Sequence, residues 1–357
     1  MGPRDEPEDD KERACDWLRI ALPANRKIVS NMTTSTSRQR LRIAVMRALP
    51  DPVIAMIRSR HDVWVNPDDR TLTPDEFQAA AAKADALIVT AFNRCDADAI
   101  SKFPPSLRIL STYSVGNEHI DLDAARKRGL AVLSTPDVLS DSVAETAILL
   151  MLGAARRAHE ATRLLYERRW TGWTPTQLVG FECTGKRIGI LGMGRIGRTI
   201  ARRARGFDMT VHYHNRSRLA ADLEDGATYH ASPDDLFAAS DVLVLAAPSG
   251  PTTRRILDSA RIARMPANAI VVNIARGDLV DDDALIAALQ SGRIASAGLD
   301  VFNNEPKLDE RYLALSNVFL QPHQGSSTVE ARMAMGRILL DGFDAVLEGR
   351  PAINRLV

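Results

Sequence analysis

The sequence predicts an α/β protein of two domains, and three observations lead to this fold class. A chain of 357 residues exceeds the length of one ordinary domain, which is about 100–200 residues. Short apolar runs alternate with segments of helical periodicity, as in parallel strands joined by helices. These apolar runs form two separate series, one starting at Leu41 and the other at Arg187.

The elements follow in order along the chain. Residues 1–40 are acid-rich and then polar, and we expect a disordered N-terminal extension there. The first series is LRIAVM, ALIVTA and LRILST, and the second is RIGIL, TVHYH, DVLVLAA, AIVVNI and ASAGLD. Between them, residues 138–165 are rich in helix formers without an internal proline, which predicts one long connecting helix. A last helix near 328–349 is expected to cross back and close the first domain. The predicted substrate domain is therefore 41–138 with 325–357, and the predicted nucleotide domain is 139–324.

Composition excludes several classes of partner. Lys and Arg total 46 against 45 for Asp and Glu, so the net charge of +1 gives no general attraction to nucleic acid or to a membrane surface. The longest apolar stretch, near 147–155, is shorter than the about 20 residues of a spanning helix. The three cysteines, Cys15, Cys95 and Cys183, match no metal or redox spacing, which favours a reducing, cytoplasmic setting.

A glycine-rich turn follows the first strand of the second series. The segment RIGILGMGRIGRTIARRA (187–204) is an apolar strand, a GxGxxG turn and a helix. Glycines at this spacing let a pyrophosphate approach the backbone, and the helix N-terminus offers free N–H groups to it. The motif predicts a dinucleotide site that contains Gly192, Met193, Gly194, Arg195, Ile196 and Gly197.

The end of the next strand carries a basic turn instead of a carboxylate. An acidic residue about 20 residues past the glycines would bond the ribose 2′-OH of NAD. This sequence has Asn215, Arg216, Ser217 and Arg218 at that place. An ordinary basic surface turn is one interpretation. Because the turn accompanies the glycine motif, we favour a site for the 2′-phosphate of NADP, with NAD as a second cofactor.

Ionisable groups also stand at later strand ends, where the chemistry of open α/β sheets is located. They are Arg276 in NIARGD, Asp300 and Glu305 in GLDVFNNEP, and His323 in PHQGSS. Taken singly, each fits an ordinary surface residue. Together they provide an arginine for a carboxylate substrate, a histidine for acid–base chemistry and a carboxylate to orient that histidine.

These segments, with SVGNEHIDL (114–122), TPDVLSDSVAETA (135–147) and WTGWTPTQLVG (170–180), resemble the D-isomer-specific 2-hydroxyacid dehydrogenases, nearest to the glyoxylate/hydroxypyruvate reductase branch. The resemblance runs from about Leu41 to the C-terminus. It implies a Rossmann-type dinucleotide-binding domain and a flavodoxin-like substrate domain formed by both chain ends. The implied activity is reduction of small 2-keto acids such as glyoxylate or hydroxypyruvate. The basic turn adds the expectation that NADPH is preferred, and no metal is expected.

The resemblance also implies roles for individual residues. Arg276, Glu305 and His323 are the expected catalytic residues, and the backbone of Val115 and Gly116 is expected to hold the substrate carboxylate from the other domain. Further residues expected at the cofactor are Ser142, Ala247, Pro248, Thr253, Ile274, Ala275, Asp300 and Gly325. A homodimer is expected through the helix near 142–160, whose apolar Ala147, Ile148, Leu150 and Met151 exceed what one helix face can bury.

Two other functions remain open at this point. The resemblance extends to nucleotide-sensing transcriptional corepressors, in which the dinucleotide would be a ligand and not a reactant. The retention of Arg276, Glu305 and His323 speaks against that alternative. Oxidation of formate or phosphite on the same scaffold is the second alternative, and only the substrate distinguishes it.

Overall fold

The computed structural model describes residues 39–357, which divide into two compact units. One unit contains residues 39–136 and Thr328–Val357, and the other contains Asp137–Ser327. The sequence prediction put the two boundaries at 138/139 and 324/325. The predicted disordered extension lies outside the described residues except for its last two. Of these, Arg40 donates from Nε to Asp62 Oδ1 at 2.9 Å.

The first unit is a parallel five-stranded sheet with helices between its strands. The strands are β1 (Arg42–Val45), β2 (Asp62–Val65), β3 (Ala86–Val89), β4 (Ile109–Thr112) and β5 (Ala131–Leu133), and the helices are α1 (Asp51–Arg58), α2 (Pro74–Ala81), α3 (Ala97–Ser101) and α4 (Leu122–Lys127). The strand order is β2-β1-β3-β4-β5. Every residue of β3 and β4 is buried, as expected for central strands covered on both faces. This order is the flavodoxin-like one.

The second unit is a parallel seven-stranded sheet. Its strands are β6 (Arg187–Leu191), β7 (Thr210–His214), β8 (Thr228–Tyr229), β9 (Val242–Leu245), β10 (Ala269–Asn273), β11 (Ile294–Leu299) and β12 (Val318–Leu320). Its helices are α5 (Ser140–Ala155), α6 (Ala158–Tyr166), α7 (Arg195–Arg205), α8 (Ala221–Glu224), α9 (Pro233–Ala238), α10 (Ser259–Arg264) and α11 (Asp282–Gln290), with 3-10 turns at Gly277–Leu279 and Glu310–Ala314. The strand order β12-β11-β10-β9-β6-β7-β8 reverses between β6 and β9. Ligands of open α/β sheets bind beyond the carboxyl ends of the strands at such a reversal.

The predicted single helix over 138–165 is wrong, because the chain breaks it into α5 and α6. Arg157 takes the left-handed conformation, with φ of 55° and ψ of 40°. The carbonyl of Ala155 accepts a hydrogen bond from the Phe181 N–H at 2.9 Å, and Arg157 donates to the Glu160 carboxylate in α6 at 2.5 and 2.8 Å. The helix therefore stops where its backbone bonds to Phe181 and where Arg157 pairs with Glu160. Helix propensity, which is a local property, indicates neither interaction.

The last helix, α12 (Val329–Leu347), belongs to the first unit. Thr328 caps it by accepting the Ala331 N–H at 3.2 Å. Gly336 packs on α1 so closely that an added Cβ would lie 2.6 Å from a methyl of Val53. After α12, the Leu356 N–H donates to the Val132 carbonyl of β5 at 2.8 Å. The predicted α/β fold class is confirmed, and residues 39–136 and the C-terminal segment lie in the same unit. Within residues 39–357, no helix combines the length and apolar character that crossing a membrane requires.

Candidate active site

The glycine turn after β6 has the geometry of a nucleotide-binding loop. Gly192 has a φ of 100°, and a Cβ there would lie 2.6 Å from the Ala247 nitrogen. A Cβ on Gly197 would lie 2.2 Å from the Gly192 carbonyl oxygen, so α7 packs directly against the turn. Gly194, in contrast, has nothing within 4 Å of an added Cβ. The backbone at Gly194 therefore faces open space at the start of α7, where a pyrophosphate fits.

The basic turn after β7 is held by side chains that the sequence prediction assigned to the cofactor. The Asn215 side-chain oxygen accepts the Met193 N–H at 2.7 Å, which ties the basic turn to the glycine turn. Arg218 donates from Nε and Nη2 to the two carboxylate oxygens of Glu224, at 2.8 and 3.0 Å. Arg216 and Ser217 are exposed. Among residues 39–357, Arg216 has no ion-pair partner, so it is the free cation of this turn.

Glu224 was missed by the sequence reasoning, although it organises the turn. It is buried at 8% exposure and accepts the Tyr213 hydroxyl at 2.6 Å, while the Leu219 N–H donates to that same hydroxyl at 3.0 Å. The hydrogen bonds from Arg218 and Tyr213 lower the pKa of Glu224 to about 2. The expectation that both arginines are free for a 2′-phosphate is therefore incomplete, because Arg218 already has an anionic partner.

Three further strand ends carry the predicted catalytic residues of this unit. Arg276 follows β10, and its carbonyl accepts the Asn273 side-chain amide at 2.9 Å. An added Cβ on the next residue, Gly277, would lie 1.9 Å from the Phe302 carbonyl carbon, so only glycine fits there. Arg276 is half-buried. Asn273 was also missed, and it fixes the turn that carries Arg276.

Glu305 and His323 form the shortest contact between predicted catalytic side chains. The His323 Nδ1 lies 2.6 Å from Glu305 Oε2, and the Phe302 N–H donates to Glu305 Oε1 at 2.9 Å. Burial raises the pKa of Glu305, but the hydrogen bond and charge of His323, the Phe302 N–H and the Arg276 charge outweigh it and hold that pKa below its ordinary value. Glu305 is thus an ionised partner for the imidazole, and Nε2 of His323 is the nitrogen available to a substrate.

Asp300 holds the loop that carries His323. Its two carboxylate oxygens accept the N–H groups of Gln324 and Gly325 at 2.6 and 2.8 Å, and its carbonyl accepts the His323 N–H at 2.8 Å. Ser142 donates to the Gly325 carbonyl at 2.7 Å. Burial is the main reason that the pKa of Asp300 is raised. In this structure Asp300, Ser142 and Gly325 therefore bond one another, and their predicted contacts with the cofactor remain predictions.

The other predicted cofactor residues also lie beyond strand ends of this unit. Ala247 and Pro248 follow β9, and Thr253 donates to the Pro248 carbonyl at 2.8 Å. Ile274 and Ala275 follow β10 and are each 8% exposed. Val115 and Gly116 lie in the first unit, in the loop after β4. Among residues 39–357, no group of three or more histidine, cysteine or acidic side chains could hold a metal ion.

Comparison with known proteins shows the family of this chain. The NAD binding domain of the D-isomer specific 2-hydroxyacid dehydrogenases matches residues 148–325. A glycerate dehydrogenase of Hyphomicrobium methylovorum is 42% identical over 310 residues, which cover 86% of this chain and 96% of the relative. A glyoxylate reductase of Thermococcus kodakarensis is 40% identical over 315 residues, covering 87% and 94%.

Solved structures are similar over the same length. A D-isomer specific 2-hydroxyacid dehydrogenase of Polaromonas has a TM-score of 0.86 at 48% identity, with 89% of this chain and 100% of that chain covered. An NADPH-dependent glyoxylate/hydroxypyruvate reductase of Sinorhizobium meliloti, solved with NADP and malonate, has a TM-score of 0.80 at 31% identity, with 89% and 97% covered.

Fold, glycine turn and relatives together define a nicotinamide-dinucleotide-dependent dehydrogenase. The chain belongs to the D-isomer specific 2-hydroxyacid dehydrogenase family. It is an NAD(P)-dependent oxidoreductase that acts on the CH–OH group of 2-hydroxy acids. The prediction of an enzyme is confirmed, and the corepressor alternative is set aside.

Proposed function

We propose that this enzyme reduces small 2-keto acids such as glyoxylate and hydroxypyruvate to 2-hydroxy acids and prefers NADPH to NADH. The observation that carries the proposal is the 2.6 Å contact between His323 and Glu305, in the same unit as the open glycine turn and Arg276. Relatives named as glyoxylate reductases and as a glycerate dehydrogenase support a small, carboxylate-bearing substrate.

Each residue has a distinct task in the proposed reaction. A nicotinamide dinucleotide held at the glycine turn would supply the hydride that the keto carbon takes up. His323 delivers the proton from Nε2 to the keto oxygen, so that the carbonyl becomes a hydroxyl. Glu305 orients the imidazole through Nδ1 and places a negative charge beside it. Arg276 holds the substrate carboxylate and polarises the carbonyl, since guanidinium matches a carboxylate bidentately. The backbone of Val115 and Gly116 binds the carboxylate oxygens.

The preference for NADPH rests on charge at the basic turn. Asn215 puts no negative charge where an NAD-binding carboxylate would repel a 2′-phosphate. Arg216 is exposed and cationic, and the Arg218 side chain remains 65% exposed while bonded to Glu224. A charged hydrogen bond contributes about 1.5–3 kcal/mol before solvent screening is discounted. With one free arginine instead of two, we expect a preference of about 10-fold.

One kinetic panel tests the proposal. Initial rates are measured at 340 nm with glyoxylate, hydroxypyruvate and pyruvate, each with NADPH and with NADH. We expect reduction of glyoxylate or hydroxypyruvate with the higher kcat/KM for NADPH. Equal kcat/KM values with the two cofactors would show that the turn from Asn215 to Arg218 is an ordinary basic surface and not a 2′-phosphate site. Oxidation of formate or phosphite in the same assay, without keto-acid reduction, would replace the substrate proposal.

A homodimer is also proposed, but the predicted surface needs correction. Ala147, Leu150 and Met151 of α5 are buried inside the chain itself, so they offer nothing to a partner. Their burial is explained by the packing of α5 on the second unit's own sheet and on α7. Large apolar side chains are instead exposed on and after α5: Leu149, Leu165, Tyr166, Trp170, Trp173, Val179 and Phe181. Exposed apolar side chains concentrated in one segment favour a protein partner.

A further inference from the structure

A row of three polar side chains lies beneath the loop that follows β4. The His119 Nε2 is 3.0 Å from the Thr112 hydroxyl oxygen. That oxygen is 2.6 Å from the Ser114 hydroxyl oxygen, and Ser114 donates to the Gly116 carbonyl at 2.7 Å. Thr112 is fully buried and His119 is half-buried. The row therefore connects the His119 imidazole to the Gly116 carbonyl, in the peptide between Gly116 and Asn117.

The direction of every hydrogen bond in this row follows from counting protons. A hydroxyl has one proton to donate. Ser114 uses its proton on the Gly116 carbonyl, so the Thr112 hydroxyl must donate to Ser114. The Thr112 proton is then committed, and His119 must donate to Thr112 from Nε2. The row therefore requires a proton on Nε2, which both the neutral Nε2–H tautomer and the imidazolium provide.

His119 is a fixed point for this row because its backbone is anchored. Its carbonyl accepts the Cys95 N–H at 2.8 Å, and the Cys95 carbonyl accepts the Asp121 N–H at 2.9 Å. Cys95 is fully buried. The loop is also fixed just before Val115, since the Tyr113 N–H donates to the Val89 carbonyl at 2.8 Å and the Ser114 carbonyl accepts the Thr135 N–H at 3.0 Å. Side-chain bonds then determine the peptide orientation at Gly116.

The orientation of the Gly116 carbonyl matters for an anionic ligand. A free carbonyl oxygen carries partial negative charge and would repel a substrate carboxylate at this loop. The Ser114 hydroxyl engages that oxygen in a hydrogen bond of 2.7 Å, and it is therefore not free to face a ligand. Consecutive backbone N–H groups in such a turn can form an anion-binding concavity, provided that neighbouring carbonyls such as that of Gly116 point away.

We propose that His119 is a positioning residue, which acts through Thr112 and Ser114 to hold the Gly116 carbonyl away from the substrate carboxylate. This inference rests on the proposed function, which assigns that carboxylate to the Val115–Gly116 backbone. His119 touches no reacting atom, so it acts on substrate binding and not on hydride or proton transfer.

Kinetics of matched variants test the role. Thr112→Val removes the central hydroxyl with little change of shape, and His119→Phe removes the donor while retaining a ring. Each should raise the KM for glyoxylate about 3- to 10-fold, as expected for loss of a neutral hydrogen bond. The kcat and the KM for NADPH should change less than about 2-fold. His119→Gln, whose amide can donate, should restore most of the affinity, and exposed Thr71→Val should behave as the unmodified enzyme.

A second measurement is independent of activity. Nitrogen-15 NMR of histidine-labelled protein reports which ring nitrogen of His119 is protonated, with His119→Gln giving the assignment. We expect a protonated Nε2. An unprotonated Nε2 would overturn the hydrogen-bonded row from His119 to Gly116, regardless of which substrate the enzyme reduces. An active enzyme whose Thr112→Val variant folds normally and keeps its KM overturns the positioning role alone. An unmodified enzyme inactive toward every 2-keto acid overturns the proposed function, and the positioning role with it.

Discussion

Arg218 and Glu224 form a two-point ion pair, with Nε–Oε1 and Nη2–Oε2 distances of 2.8 and 3.0 Å. The arginine side chain is 65% exposed and the carboxylate side chain only 10% exposed. Because Tyr213 also donates to Glu224 at 2.6 Å, the carboxylate is a buried anchor for the basic turn. The two arginines of this turn are therefore not equivalent.

The first prediction separates those two arginines. Arg216→Ala should raise the KM for NADPH about 10-fold, because it removes the free cation available to a 2′-phosphate. Arg218→Ala should raise it less, since that guanidinium is shared with Glu224. Neither variant should change the KM for NADH more than about 2-fold. Equal losses in both variants would show that Arg218 leaves Glu224 when NADPH binds.

The second prediction concerns the acid stability of the Glu224 pair. The folded-state pKa of Glu224 is about 2, below its ordinary value of 4.5. A carboxyl with a lowered pKa stabilises the folded state above its ordinary pKa, and this contribution is lost as pH falls through the folded value. Glu224→Gln should therefore lower the urea midpoint more at pH 7 than at pH 3.5.

Urea unfolding curves at the two pH values measure this difference directly. Glu310→Gln, in an exposed 3-10 turn, is the control for loss of one carboxylate. A Glu224→Gln midpoint shift that is the same at pH 3.5 and pH 7 would contradict the ion-pair account and leave only a packing role for the side chain.

Sequence patterns identified the central strands but not the sheet edges. The predicted runs contain β1, β3, β4, β6, β7, β9 and β10, and all but the first residue of β11. Except for β7, these strands are mostly buried. The strands β2, β5, β8 and β12 were not identified, and three of them have only two or three residues. In DVWV of β2, moreover, every residue is at least partly exposed. An edge strand of this kind forms because it pairs with a neighbouring strand. The local sequence pattern carries no information about that pairing.

In the candidate site, too, some residues could be predicted from the sequence and others could not. Arg276, Glu305 and His323 stand at strand ends, so topology and chemical type were enough to propose them. Glu224 and Asn273 could not be identified in this way, because their partners depend on how a turn folds. A carboxylate six residues after Arg218 was the one available signal for Glu224. The row from His119 to Gly116 likewise depends on distances between hydroxyls.

The third prediction uses two adjacent leucines of α5 as a matched pair. Leu150 is fully buried, and Leu150→Ala should lower the free energy of unfolding by about 2–5 kcal/mol. Leu149 is 50% exposed, and Leu149→Glu should leave the fold intact but weaken dimerisation. Light scattering of the unmodified protein should give about 78 kDa, twice the 39.1 kDa of one chain. A monomer mass at micromolar concentration would remove the dimer proposal.

The fourth prediction tests His323 as the proton donor. His323→Ala should lower kcat/KM for glyoxylate by about 10²- to 10⁴-fold, the usual contribution of general acid–base catalysis. NADPH binding, measured by fluorescence titration, should be nearly unchanged. A variant that loses NADPH binding to the same degree would point to a structural role for His323 in its loop.

The last prediction concerns Glu305, whose pKa is held below its ordinary value despite burial, chiefly by the hydrogen bond and charge of His323. Glu305 is therefore ionised throughout the neutral range, and its negative charge lies beside the imidazole. Glu305→Gln keeps an acceptor for the imidazole N–H but removes the charge. Reduction consumes the imidazole proton, so the fall of kcat/KM on the alkaline side should move to lower pH in this variant. Some activity should remain, because Nε2 still reaches the substrate. An unchanged pH profile would show that Glu305 fixes the position of the ring without affecting its charge.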